Sequence, residues 1–263
     1  MNWIEVNGTS LRYELSSNGN TTLVLVHEMG GTLDSWDLVL PALNNTRQVL
    51  RYDTRGAGLS EKILGRVTFD DMADDLAALL DAIGIEGKVA IAGTAVGGAI
   101  ALHFAVRHAT RAAALVVTSP ATGVAEHRRQ ATLDRATAAE TLGMRGIAEA
   151  GVSASYPPEV RHNVQDFRKF HARWLANDPQ SFAAINRMLA DSTVTEELPR
   201  IACPTLVIGC RHDKLRPPAA VKALAEQIPG AKYLEINSGH FAAIQTPGLV
   251  SQAFHGFLFT LGY

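Results

Sequence analysis

Residues 88–106 read KVAIAGTAVGGAIALHFAV and contain the motif that decides the fold. The apolar run at 88–92 predicts a buried strand, and the small and apolar residues at 99–106 predict a helix that packs closely on a sheet. Between them, glycines at 93, 97 and 98 leave room for a tight turn. The motif therefore predicts a strand that turns sharply into a helix.

Strand and helix patterns alternate on both sides of this motif. Leu- and Val-rich runs at 22–26, 114–118 and 205–209 predict strands that are buried on both faces, as in a parallel sheet. Apolar residues at helical spacing in 69–80 predict a helix between two of them. We therefore predict an α/β fold with a mostly parallel sheet and helices on both of its faces.

The pattern changes between residues 122 and 200. This part is polar, rich in alanine and helical in character, and Pro157 and Pro158 interrupt it. Because strand patterns return after it, we expect a helical cap (lid) at 122–200, inserted into a core formed by residues 1–121 and 201–263.

Composition excludes several classes of protein. The chain has 263 residues and a formal net charge of -2, so no basic excess points to nucleic acid or to an anionic membrane. No run of about 20 apolar residues predicts a membrane span. The N-terminus lacks a signal-peptide pattern, and Cys203 and Cys210 form no metal-ligand motif. We expect a cytoplasmic protein without a metal site.

The side chains expected at the carboxyl ends of the strands are those that a catalytic site needs. The turn at residues 93–98 matches the pattern G-x-S-x-G of a nucleophile elbow, except that Ala95 occupies the central position. Asp213 follows the strand at 205–209, and His240 follows the next strand. The order elbow, acid, histidine is the order of a hydrolase triad from which the nucleophile is missing.

These motifs together resemble the α/β-hydrolase superfamily, most closely the 3-oxoadipate enol-lactonase-like group. The matching segments are residues 25–27 (LVH), 51–60 (RYDTRGAGLS), 93–98, 204–213 and 239–240. The resemblance implies the α/β-hydrolase fold with an eight-stranded, mostly parallel sheet. It also implies action on a small ester, lactone, amide or C–C bond, with no metal or organic cofactor.

The resemblance assigns a role to each site residue. His240 would be the base, Asp213 would orient it, and the backbone N–H groups of Met29 and Val96 would form the oxyanion hole. Helical spacing in the predicted cap leaves two places open for Trp174 and Phe167, the wall of the substrate pocket or the packed interior of the cap.

Three residues depart from the family pattern. Ala95 cannot act as a nucleophile, Thr94 stands one position away from that seat, and Glu28 replaces the glycine of a His-Gly pair. An engineered serine-to-alanine change would explain Ala95 alone, whereas a natural loss of the nucleophile also fits Glu28 and Thr94. We regard Glu28 and Thr94 as candidate accessory residues. Two roles stay open for Glu28, a salt bridge at the mouth of the site, or a second acid or base that could also hold a water.

The sequence leaves three functions open. The first is a hydrolase-type enzyme that works through the Asp213–His240 pair. The second is a nucleophile-free lyase or decarboxylase that uses His240 with Glu28 as acid and base, and the third is a non-catalytic binder of a small ligand. In each case the expected partner is a small molecule, with no nucleic acid and no membrane. The oligomeric state stays open, with a homodimer as one alternative.

Overall fold

The computed structural model describes residues 2–16, 19–45 and 47–263, and these form an eight-stranded sheet. The strands lie in the order β1-β2-β4-β3-β5-β6-β7-β8. Their bounds are β1 Asn2–Val6, β2 Thr9–Leu15, β3 Thr22–Val26, β4 Gln48–Tyr52, β5 Val89–Thr94, β6 Ala112–Thr118, β7 Thr205–Cys210 and β8 Lys232–Ile236. The pairs β1–β2 and β2–β4 are antiparallel and every other pair is parallel, which confirms the predicted mostly parallel sheet.

Helices connect the parallel strands. They are α1 Leu40–Leu43, α2 Phe69–Ala82, α3 Val96–Arg107, α4 Glu126–Ser155, α5 Val164–Leu175, α6 Pro179–Asp191, α7 Pro218–Ala225, α8 Ala242–Gln245 and α9 Pro247–Phe259. Short 3-10 helices lie at Leu33–Trp36, Pro158–Val160 and Thr195–Arg200. In the part of the chain that the structure describes, no helix is long and apolar enough to span a bilayer.

The central strands of the sheet, such as β3, β5 and β7, are buried on both faces, which explains their uninterrupted apolar runs in the sequence. In β3, Val24 and Val26 belong to the core on one face, whereas Leu23 and Leu25 belong to the core on the other. Side chains alternate between the two faces because the strand repeats every two residues. A strand covered by helices on both sides therefore favours apolar side chains along its whole length.

Helices α4, α5 and α6 lie between β6 and β7 in the chain, and we call them the helical insertion. Helix α4 bends at Gly143, whose φ of 67° suits glycine. Apolar side chains of the insertion pack with Phe241 and Ile244, one and four residues after His240 in the chain. The insertion thus lies against the loop that carries His240. The division of the chain into a core and a cap at residues 121 and 201 stays a prediction.

Candidate active site

The turn between β5 and α3 has the strained backbone of a nucleophile elbow. Ala95 lies between them with φ 52° and ψ -113°, a conformation that costs a non-glycine residue about 1–3 kcal/mol. The loop after β6 holds it there. The Ala95 N–H donates to the Thr118 carbonyl at 3.0 Å, and the Ala95 carbonyl accepts from the Ala121 N–H at 2.9 Å. These bonds turn the Ala95 side chain toward the end of the sheet.

The glycines of the turn allow backbone segments to approach one another closely. A Cβ atom at Gly93 would collide with the carbonyl of Gly97, and one at Gly97 would collide with the carbonyls of Val26 and His27. Both positions therefore need glycine, as the motif predicts.

Asp213 and His240 form a buried hydrogen-bonded pair. The His240 Nδ1–Asp213 Oδ2 distance is 2.7 Å, and the two residues His240 and Asp213 are 7% and 4% exposed. A carboxylate only accepts hydrogen bonds, so the bonded Nδ1 carries the proton and Nε2 is the basic nitrogen of the neutral ring. The pair has the geometry of a general base and the residue that orients it.

The loop after β7 fixes Asp213 in turn. Its Oδ1 accepts from the N–H groups of Leu215 and Arg216 at 2.8 and 2.9 Å. Burial alone would raise the pKa of Asp213, but the charge and hydrogen bond of His240 and the Arg216 N–H outweigh it and lower that pKa. Asp213 is therefore ionised at neutral pH and stabilises a proton on His240.

A second set of contacts links the His240 loop to the helical insertion. The Phe241 N–H donates to Gln245 Oε1 at 3.2 Å, and Gln245 Nε2 donates to the carbonyl of Ser155 at the end of α4 at 3.1 Å. Movement of the insertion would therefore shift the loop that carries His240.

Ala95 and His240 line the same cavity, whose volume is about 270 Å³. Val96, Ala121, Leu215 and Arg216 come from the core, and Arg128, Arg135, Ser155, Trp174, Asn186 and Leu189 from the insertion. The structure thus brings Ala95, His240 and Trp174 together at the carboxyl end of the sheet, where ligands of parallel α/β folds bind.

Met29 and Val96 also line this cavity. Val96 is the first residue of α3, so its N–H has no acceptor within the helix and is available to a ligand. The N-terminal end of α3 carries a partial positive charge, which favours an oxyanion at this place. The position of Val96 suits the predicted oxyanion hole.

Glu28 lies on the other side of the Met29 loop. It is 3% exposed, and its Oε1 accepts from the Ser35 hydroxyl at 2.9 Å. It lines a small separate cavity of about 20 Å³, which shares Met29 and Val96 with the large one. Glu28 is therefore placed behind the oxyanion loop, and not beside His240.

Two further candidates lie away from the large cavity. Thr94 is buried at the end of β5, where the register with β6 pairs it with Thr118, and it does not line the large cavity. Phe167 packs edge-on against Tyr156, with ring centroids 5.2 Å apart, and under the guanidinium of Arg161. Phe167 thus packs in the aromatic cluster of the insertion, the second of its two expected places, and it is not among the residues that line the large cavity.

Sequence reasoning missed the arginines of the cavity. Arg128 and Arg135 stand seven residues apart on α4, and Arg216 follows Asp213 by three. The spacing of seven, which puts two residues on one helical face, was the available signal. Among the described residues, no group of three or more His, Cys, Asp or Glu side chains could hold a metal ion.

The protein-family sequence model described as alpha/beta hydrolase fold matches residues 21–247 of the chain. The chain belongs to the alpha/beta hydrolase fold family. A protein of Azorhizobium caulinodans that carries the provisional name carbamate hydrolase RutD is 29% identical over 251 residues, which is 94% of each chain.

Two solved structures superpose on nearly the whole chain. A thermophilic esterase from Thermogutta terrifontis, determined with malate bound, has a TM-score of 0.92 and 26% identity and covers 99% of both chains. The enol-lactonase from Burkholderia xenovorans LB400 has a TM-score of 0.92 and 27% identity, over 98% of this chain and 100% of its own. These relatives confirm the resemblance, and the chain is an enzyme of the α/β-hydrolase superfamily, related to a carbamate hydrolase and an enol-lactonase.

Proposed function

We propose that this enzyme hydrolyses a small ester or lactone by direct attack of water, without a covalent acyl-enzyme. One observation carries the proposal: the buried Asp213–His240 hydrogen bond of 2.7 Å stands beside a cavity in which Ala95 occupies the nucleophile seat. A general base is present, and the side chain that it would ordinarily activate is absent. The space above the Ala95 methyl group is then available to a water molecule.

His240 alone can carry the proton through the whole reaction, from the attacking water to the leaving alcohol. His240 Nε2 takes a proton from the water, whose oxygen attacks the substrate carbonyl carbon. The carbonyl oxygen becomes an oxyanion and receives hydrogen bonds from the N–H groups of Met29 and Val96. The tetrahedral intermediate collapses, the bond to the alcohol oxygen breaks, and protonated His240 returns its proton to that oxygen. Asp213 stabilises the imidazolium throughout.

Magnitudes favour an activated substrate. A positioned general base contributes about 10²–10⁴-fold, and one oxyanion-hole donor contributes about 10²–10³-fold. A serine triad adds covalent catalysis, which this chain lacks. We therefore expect a substrate with a good leaving group, such as a strained lactone or an enol or aryl ester. The two structural relatives, an esterase and an enol-lactonase, support this class.

The two alternatives fit the geometry less well. A lyase or decarboxylase that uses Glu28 with His240 needs both groups on one substrate, whereas Glu28 lines the smaller cavity and binds Ser35. A pure binder has no need of the Asp213–His240 pair, and burial of a charged carboxylate costs free energy.

A substrate panel followed by mass spectrometry tests the proposal. The chain is mixed with aryl esters, enol esters and lactones, and product release and the intact protein mass are followed before steady state. We expect hydrolysis of at least one activated substrate, with no burst and no acyl adduct. An adduct on the unmodified chain, or loss of CO₂ or C–C cleavage in place of hydrolysis, would contradict the proposal.

A further inference from the structure

The large cavity carries an excess of positive charge that the proposed reaction does not use. Arg128, Arg135 and Arg216 all line it, and among the described lining residues none is Asp or Glu. The chain as a whole has a net charge of -2, so the excess is local. Asp213 is the nearby carboxylate, and it is already hydrogen-bonded to His240.

Helix α4 places two of these guanidinium groups on one face. Arg128, Ala131, Thr132 and Arg135 follow the spacing i, i+3, i+4, i+7, and all four line the cavity. Neighbouring Arg129 points elsewhere and forms an ion pair with Asp191 of α6 at 2.5 Å. The helix thus pairs its outward arginine and leaves its inward arginines facing the cavity.

Arg135 has no charged partner in the part of the chain that the structure describes. Its guanidinium carbon lies 5.1 Å from the centre of the Phe182 ring, and Arg135 has neither an ion pair nor a hydrogen bond there. Burial lowers the pKa of Arg135, as expected for a cation that is removed from water without a carboxylate. A guanidinium nevertheless stays protonated in proteins. Arg135 is half-buried on the cavity wall, so an anion in the cavity can reach a cation that no carboxylate neutralises.

Arg216 points into the same space from the acid loop. Its Nη2 donates to the Gly123 carbonyl at 3.0 Å, which fixes the position of its guanidinium group. Its backbone N–H meanwhile binds Asp213 Oδ1 at 2.9 Å. The loop that orients His240 therefore also orients one of the cavity's cations.

We propose that the cavity is built for a substrate that carries a carboxylate, which Arg135 binds with support from Arg128 and Arg216 while the scissile carbonyl lies over Ala95. The planar fork of Arg135 can donate two parallel hydrogen bonds to the two carboxylate oxygens. A volume of about 270 Å³ admits a small molecule only, and the walls beside the arginines include the apolar side chains of Val124, Trp174 and Leu189. The substrate is thus a short, partly apolar molecule with an anionic end remote from its acyl group.

Binding of matched probes tests this inference without any turnover. Hexanoate and hexanamide have the same length and differ in charge, and calorimetry measures their Kd on the unmodified chain. We expect hexanoate to bind at least about tenfold more tightly, since hydrogen bonds to charged groups are the strong ones. Arg135→Gln should remove that advantage, and Arg135→Lys should keep part of it because it keeps the charge.

Arg145→Gln is the matched control, because Arg145 is exposed on the same helix and does not line the cavity. It should leave the hexanoate Kd unchanged, and circular dichroism should show that all variants are folded. Equal binding of hexanoate and hexanamide, or full hexanoate affinity in Arg135→Gln, would overturn the inference. Tighter binding of inorganic phosphate than of hexanoate would overturn the assignment to a carboxylate.

This inference rests on the proposed function only in treating the bound carboxylate compound as a substrate. The anion site and the hydrolytic function can therefore be refuted separately. If hexanoate binding depends on Arg135 but no ester is hydrolysed, the anion site stands and the proposed function falls. If acidic and neutral esters are hydrolysed with equal kcat/KM, the proposed function stands and this inference falls.

Discussion

Replacing Ala95 with serine should convert the site from direct attack by water to covalent catalysis. The elbow backbone, the Asp213–His240 pair and the first N–H of α3 are in place, so the substitution supplies the missing hydroxyl. Ala95 is 5% exposed and faces the cavity, which has room for one added oxygen. Removing the serine of a complete triad costs about 10⁶ in rate, which sets the upper limit of the gain.

We expect a smaller gain, because the new hydroxyl must occupy the place of the water that His240 activates. Release of p-nitrophenol from p-nitrophenyl acetate should rise at least about 100-fold over the Ala95 chain, because the substitution adds a nucleophile to a base that is already present. A burst equal to one acyl group per protein and a mass increase of one acetyl group should accompany it. Turnover of the natural type of substrate should fall, since the water has been displaced.

The matched control is Ala121→Ser, which adds the same hydroxyl to the wall of the same cavity but not at the elbow. It should give no burst and no adduct. If Ala95→Ser also forms no adduct while remaining folded, then position 95 does not face His240 as a nucleophile would, and the reasoning about this site is refuted.

Three further predictions concern Asp213 and Gly97, which support the site. Asp213→Asn should lower kcat by about 10³–10⁴-fold, because the amide no longer stabilises the imidazolium, and steady-state kinetics measure it. Since the fold lowers the pKa of Asp213, its carboxylate stabilises the native state above the ordinary pKa of about 3.9, and this contribution is lost as the pH falls toward the lowered value. Urea unfolding should therefore show a weaker acid dependence in Asp213→Asn than in the unmodified chain, and identical dependence would argue against an ionised Asp213. Gly97→Ala should destabilise the fold by about 1–3 kcal/mol or more because its Cβ would collide with the carbonyl of Val26, whereas Gly256→Ala in α9 meets no atom and should leave the Tm unchanged or raise it.

The sheet could be predicted from sequence because its strands are buried on both faces. Residues 22–26 and 89–92 are apolar almost without interruption, and in a chain with helices between such runs this pattern is typical of a parallel sheet. The elbow could be predicted because its glycines are required by packing. A Cβ atom at Gly93 or Gly97 would collide with a backbone carbonyl, so the sequence must keep glycine at both positions.

The cavity wall could not be predicted with the same success. Phe167 and Trp174 both lie on α5, yet Trp174 reaches the cavity and Phe167 packs on Tyr156. Which face of a helix meets a cavity depends on how α4, α5 and α6 pack together, and the amphipathic pattern of one helix does not contain that information. The place of Glu28 behind the oxyanion loop likewise follows from the turn at residues 28–31 and its hydrogen bond to Ser35.

The most direct test of the central claim is kcat/KM for the best panel substrate with His240→Ala, measured beside the unmodified chain. His255→Ala is the control, because His255 lies on α9 and does not line the cavity. We predict that His240→Ala lowers kcat/KM by about 10²–10⁴-fold, the contribution of a general base, while His255→Ala leaves it unchanged. Hydrolysis that survives in His240→Ala within about threefold of the unmodified rate would contradict the claim that His240 activates water over Ala95.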